Sequence, residues 1–164
     1  MRTRATVRAM VVIGSLTSLI AAGCASGGGG EMAKKMSADE AIAARQKLMK
    51  DQGAAMRAIG AAVKAGQTQA VSAEAKKLAA TARQIPTLFP QGSVNPATSR
   101  AKPEIWQKWA DFEGYAKSLE SKATQLAATA QGGNAAATGA GAADLGKTTC
   151  GACHNAFRGP EIKK

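Results

Sequence analysis

A single histidine, His154, and only three cysteines occur in 164 residues. One imidazole rules out sites built on several histidines. A structural zinc site needs four ligands, and beyond Cys150, Cys153 and His154 only the distant Cys24 remains. Aromatic side chains are equally scarce. There are six (Phe89, Trp106, Trp109, Phe112, Tyr115 and Phe157), none in the first 88 residues. Helices lined with alanine pack closely but leave little side-chain volume for a core. No stretch alternates apolar and polar residues as strands do, so the chain reads as all-α. No nucleophile–base pair or carboxylate dyad stands out, which argues against substrate chemistry and against an enzyme. Acidic residues are outnumbered 11 to 22, for a net charge of +11. No aromatic-interleaved basic motif accompanies that excess, so nucleic acid is not the expected partner.

Cys150-Gly151-Ala152-Cys153-His154 is a C-x-x-C-H run. Two thiols three positions apart can each add across one vinyl group of haem, and the histidine after them is placed to bind the iron. On a helix Cys150, Cys153 and His154 share one face. A thioredoxin-like dithiol would need a βαβ context that is missing. The run therefore predicts one covalent haem c, with thioethers at Cys150 and Cys153 and iron bound by His154. A flat apolar cofactor would also supply contacts that the aromatic-poor core lacks.

The N-terminus carries Arg2, Arg4 and Arg8 ahead of the uncharged stretch from Ala9 to Ala22. At 14 residues this stretch suits a signal-peptide core better than a membrane span. It closes on Ile20-Ala21-Ala22-Gly23-Cys24, which resembles a bacterial lipobox. Residues 1–23 are thus expected to be a lipoprotein-type signal peptide, with Cys24 lipidated and residues 24–36, containing four consecutive glycines, a flexible tether. An ordinary cleavage site with an incidental cysteine is the alternative. Export to the periplasm suits covalent haem attachment, and with no Asp after Cys24 the outer membrane is the favoured anchor. Removing three arginines leaves 19 basic against 11 acidic residues, a charge of +8. Redox partners with an acidic docking surface, or membrane lipid, fit that charge.

Residues 37–164 read as one haem domain. Ser37 and Glu40 form a capping-box pattern, and Ile42, Arg45, Met49, Met56, Ile59 and Val63 follow on one helical face that should end near Gly66. A second helix is expected from Ser72 to Pro86. The prolines at 86, 90, 96 and 103 mark a crossover loop. Pro103 opens a third helix whose stripe is Ile105, Trp109, Phe112, Leu119 and Leu126. The Gly/Ala/Asn-rich segment 131–141 reads as a connection, and a last helix should run from about Ala142 to Arg158. Short links around one long crossover predict an antiparallel four-helix bundle, with its haem near the C-terminal helix.

These segments together resemble the cytochrome c′ family, the class II c-type cytochromes. The resemblance rests on Arg45–Lys50, Ile85–Pro90, Pro103–Trp106 and Cys150–Arg158 and covers residues 37 to 160. It is closest to the low-spin branch, in which a first-helix methionine binds the iron. It implies that Met49 is the distal axial ligand and that Arg45 and Gln46 lie near the haem propionates. Methionine on an apolar face is also ordinary core filler, and both uses are open at this point. Met56 reads as packing, and Leu48 points about 100° from Met49. Arg158 stands either beside the proximal face or at the helix end. Phe89, Trp106 and Phe157 line either the haem or the core.

If Met49 binds iron, the expected function is a periplasmic electron carrier, because a thioether favours ferrous iron. If it does not, the expectation is a five-coordinate protein that binds NO or CO. A peroxidase would need a distal acid–base group that the lone histidine cannot provide. Family members often dimerise, so a homodimer is a further expectation.

Overall fold

The computed structural model of the protein describes residues 36–162. The signal peptide, Cys24 and all of the tether except Met36 lie outside the described residues.

α1 (Ala38–Lys64) starts as its sequence dictates. The Ser37 hydroxyl accepts from the Glu40 amide at 3.2 Å while the Glu40 carboxylate accepts from the Ser37 amide at 2.8 Å. Ala65 closes the helix, and Gly66, with φ of 68°, turns the chain into α2 (Thr68–Ala82). α2 begins four residues before the expected start. Ser72 is not its cap but a buried interior residue whose hydroxyl donates to the Ala127 carbonyl at 2.9 Å, joining α2 to a later helix.

The proline-rich segment forms the expected crossover, with one 3₁₀ turn at Pro86–Leu88. What reads as a single third helix is broken. α3 (Glu104–Gln107) stops at Lys108, whose φ of −120° and ψ of 48° interrupt the helix before α4 (Trp109–Gln131). The break accompanies a tie to the crossover, since the Trp106 indole donates to the carbonyls of Phe89 and Pro90.

The segment 131–141 differs most from expectation. Only Gly132–Asn134 is a connection. The Asn134 side chain accepts from the Ala137 amide at 2.9 Å and starts α5 (Ala135–Leu145). Glycines here permit close approach rather than looseness. A Cβ on Gly141 would stand 3.3 Å from Leu126 Cδ1, and one on Gly139 would stand 3.5 Å from Val63 Cγ1. α5 runs on through a π-helical turn, Gly146–Gly151, into α6 (Ala152–Phe157).

Short links make α1 antiparallel to α2, and α4 antiparallel to the α5–α6 column, so the chain is a four-helix bundle. α2 packs most extensively on α4. The buried residues of these two helices include Ala75, Ala79, Ala123 and Ala127, together with Leu78 and Leu126. Among the described residues there is no β-strand, only an isolated bridge between Ala101 and Arg158, and no helix long and apolar enough to cross a membrane.

Candidate haem site

At the α6 end of the bundle the packing opens into a cavity of about 570 Å³, inside the roughly 300–1,000 Å³ range of cofactor pockets. Every haem-related residue of the sequence reading reaches it. α6 and the turn before it contribute Cys150, Cys153 and His154; α1 contributes Arg45, Gln46 and Met49. Leu48 is buried in the core instead, as the helical angle requires, and Met56 packs beside Gly146 away from the cavity. Of the three aromatics with open roles, Phe89 and Phe157 line the cavity and Trp106 does not.

The π-helical turn precedes the second thiol. Thr149, fully buried, donates its hydroxyl to the Leu145 carbonyl at 2.6 Å and lies 3.7 Å from Cys150 Sγ. π turns widen the helix by one residue and occur preferentially at functional sites. Both thiols are free. Burial, reinforced by neighbouring Cys150, pushes the Cys153 thiol up to about 11. It therefore stays an S–H group at neutral pH, the form whose sulfur and hydrogen both add across a vinyl double bond. For His154, burial lowers the pKa first, and the Arg158 and Arg100 guanidiniums lower it further. All three effects favour neutral imidazole, the form that binds a metal.

The apolar wall is an aromatic cluster. Phe112 packs edge-on to Phe89 at 4.7 Å and to Phe157 at 5.6 Å, and Phe157 meets Tyr115 at 6.0 Å. Thiols, a neutral imidazole and a broad aromatic wall in one cavity of this size fit a covalently attached haem.

Arg45 lines the cavity and is also tied to the crossover. It is only 3% exposed. One terminal nitrogen donates to Ser93 Oγ at 2.8 Å and, at 3.5 Å, to the Leu88 carbonyl; the other donates to the Ser93 carbonyl at 2.7 Å and Ser99 Oγ at 2.8 Å. Its guanidinium also sits 4.6 Å over the Phe89 ring. Of its five donors, Nε–H alone is outside these bonds. Gln46 donates to the Thr98 carbonyl at 2.6 Å from an exposed position. Arg158 closes α6 and also lines the cavity.

Sequence reasoning missed Arg100, which lines the cavity beside His154, and the serines that hold Arg45. All lie in the crossover, where no periodicity signals which side chains turn inward.

Comparison with known proteins agrees with this geometry. The family model described as cytochrome C′ matches residues 40–158. A cytochrome c′ from Pararhodospirillum photometricum is 36% identical over 70% of this chain and 92% of its own. A cytochrome c-556 from Agrobacterium tumefaciens is 35% identical over 70% and 93%. Among solved structures, cytochrome c′ from Thermochromatium tepidum superposes with a TM-score of 0.69 at 32% identity, covering 77% of this chain and 99% of its own. Another cytochrome c′, described as showing ligand-controlled dimer dissociation, gives 0.69 at 29% identity over 76% and 98%. Sequence, bundle and cavity thus lead to one conclusion: the chain belongs to the cytochrome c′ family and is a monohaem c-type cytochrome carrying one covalent haem c with its iron.

Proposed function

We propose that this cytochrome binds a small diatomic ligand, NO or CO, at its haem iron. In this reading Cys150 and Cys153 form the thioethers, His154 supplies the single protein nitrogen to the iron, and Met49 borders the sixth position. The bound haem supplies an iron that can take a ligand or an electron. The observation that carries the reading is the α1 wall. Met49 is followed one turn later by Gly53, and both line the cavity, so α1 presents a thioether and a residue without a side chain to it. The nearby Arg45 and Gln52 are engaged with other partners: Gln52 donates to Thr81 Oγ1 at 3.1 Å. The similarity to cytochromes named c′ supports the same reading.

A second reading has its own support. Met49 itself lines the cavity, and thioether sulfur is a soft ligand suited to ferrous iron. With His154 and Met49 both on the iron, the protein would be an electron carrier. The optical spectrum decides between them. A high-spin ferrous protein that takes up CO at once establishes the first reading. A low-spin spectrum with sharp α and β bands, slow CO uptake, and conversion to a fast high-spin form in Met49→Ala establishes the second. Met56→Ala should leave either spectrum unchanged.

The cavity rim adds Lys50, Arg100 and Arg158 with no carboxylate among its lining residues. This suits an acidic redox partner whose association weakens with salt. We further propose a periplasmic location, with Cys24 as a lipid anchor, to be read from the mass of the mature N-terminus. We also propose a homodimer sensitive to ligand, as described for the relative above.

A further inference from the structure

Three elements that are far apart in sequence meet through the crossover. Arg45, one turn before Met49 on α1, clamps Ser93 and Ser99. The next residues of the crossover pair with the chain leaving α6. The Lys102 amide donates to the Phe157 carbonyl at 3.0 Å, and the Gly159 amide donates to the Arg100 carbonyl at 2.7 Å. Side chains double the seam: Arg100 Nε donates to the Gly159 carbonyl at 2.9 Å and Lys102 Nζ to the Ala156 carbonyl at 2.9 Å. The seam begins two residues after His154.

We infer that Arg45 is a positioning residue for His154: it fixes the 88–102 crossover to α1, and the crossover fixes the end of α6 that carries the imidazole. The chemistry of the clamp supports this over a role toward the haem itself. Four short or moderate bonds to two serines and a carbonyl occupy both terminal nitrogens, and the flat face is covered by Phe89. A planar fork spent in this way sets loop position at two points, which a point-like ammonium could not do. Burial makes the arrangement sensitive, since the Ser93 hydroxyl loses its donor if the guanidinium leaves and the Ser99 hydroxyl keeps only the Ala101 amide at 3.2 Å.

The inference rests on His154 being the iron ligand. That part fails separately if His154→Ala leaves the spectrum of the attached haem unchanged. The test uses the full haem-loaded protein in four forms: Arg45→Met, Arg45→Lys, Ser93→Ala and the double variant Ser93→Ala/Ser99→Ala. Amide hydrogen exchange is read at Lys102 and Gly159, together with the optical spectrum and the reduction potential. The double variant keeps the guanidinium, and because Ser99 lines the cavity while Ser93 does not, Ser93→Ala alone must reproduce its direction. The double variant should speed exchange at both amides by about tenfold or more, the scale of one charge-assisted hydrogen bond. It should also shift spectrum and potential in the same direction as Arg45→Met, with Arg45→Lys in between. If Arg45→Met alters the spectrum while the double variant matches wild type in every readout, Arg45 acts on the haem directly and the inference is wrong. Faster exchange with an unchanged spectrum and potential overturns it equally, because the seam would then not govern His154. Should Arg45→Met fail to fold, the other variants decide the matter by the same readings.

Discussion

Truncating Phe112 tests whether the aromatic cluster, rather than the haem alone, holds the cavity end of the bundle together. Phe112 is 3% exposed and touches the rings of Phe89, Trp109 and Phe157 at 4.7, 5.4 and 5.6 Å. Phe112→Ala removes a buried ring at a site whose ring neighbours come from the crossover, α4 and α6 and cannot all collapse inward. That places the cost at about 3–5 kcal/mol. Unfolding entropy near 2.1 cal/mol/K per residue, over roughly 130 ordered residues, gives about 0.27 kcal/mol/K. The melting temperature should therefore fall by about 11–19 °C. The assay is far-ultraviolet circular dichroism of the haem-loaded protein, scanned at one heating rate. Trp109→Ala is the internal control. Trp109 is only half-buried and meets one ring of the cluster, so its loss should cost less than half as much. A fall below about 4 °C for Phe112→Ala, equivalent to some 1 kcal/mol, would refute the reasoning and leave the haem as the main support of that end.

Changing both Cys150 and Cys153 to Ala should make the haem extractable into acidified organic solvent, whereas either single variant should retain it through one thioether. Ser37→Ala removes a hydroxyl from the α1 capping box and should cost about 1 kcal/mol, or about 4 °C in melting temperature. The Ser37 amide and hydroxyl hold the Glu40 carboxyl below its usual range. Its contribution is thus complete above the ordinary carboxylate pKa and is lost as pH falls through the lowered value. The melting difference between wild type and Glu40→Gln should accordingly close on acidification. Asn134→Ala should cost a similar ~1 kcal/mol and speed hydrogen exchange at the start of α5, which a true loop in that place would not show.

Which of these features the sequence announces depends on the range of the interactions behind them. The α1 start is written in two residues three apart, Ser37 and Glu40, and the structure shows the reciprocal bonds that the pattern requires. The direction of Met49 relative to Leu48 follows from helical pitch alone. The haem residues follow from covalent chemistry with a fixed spacing. By contrast, Ser72 looks like a helix start because its true partner, the Ala127 carbonyl, lies 55 residues away. Residues 135–141 look like a loop because composition does not distinguish a flexible glycine from one that admits Leu126 or Val63 to van der Waals contact. The break at Lys108 and the π-helical turn change backbone register without changing residue type, so they leave no trace in the pattern.

The scarcity of aromatic residues takes on a spatial meaning in the folded chain. Phe89, Phe112, Tyr115 and Phe157 line the cavity, and Trp106 and Trp109 stand behind them. The α2–α4 contact has no aromatic of its own among its buried residues beyond Phe112, and it closes on alanine faces, where small side chains allow backbones to approach. Bulk is thus concentrated where a flat cofactor needs a broad apolar wall, and small residues are concentrated where rigidity comes from close backbone packing. The crossover joins the two regimes. It is anchored on α1 by a buried guanidinium and on the exit of α6 by paired backbone amides, so a displacement at either helix is carried to the other. With His154 on α6 and Met49 on α1 both lining the cavity, that connection would make the two sides of the cavity respond together rather than independently.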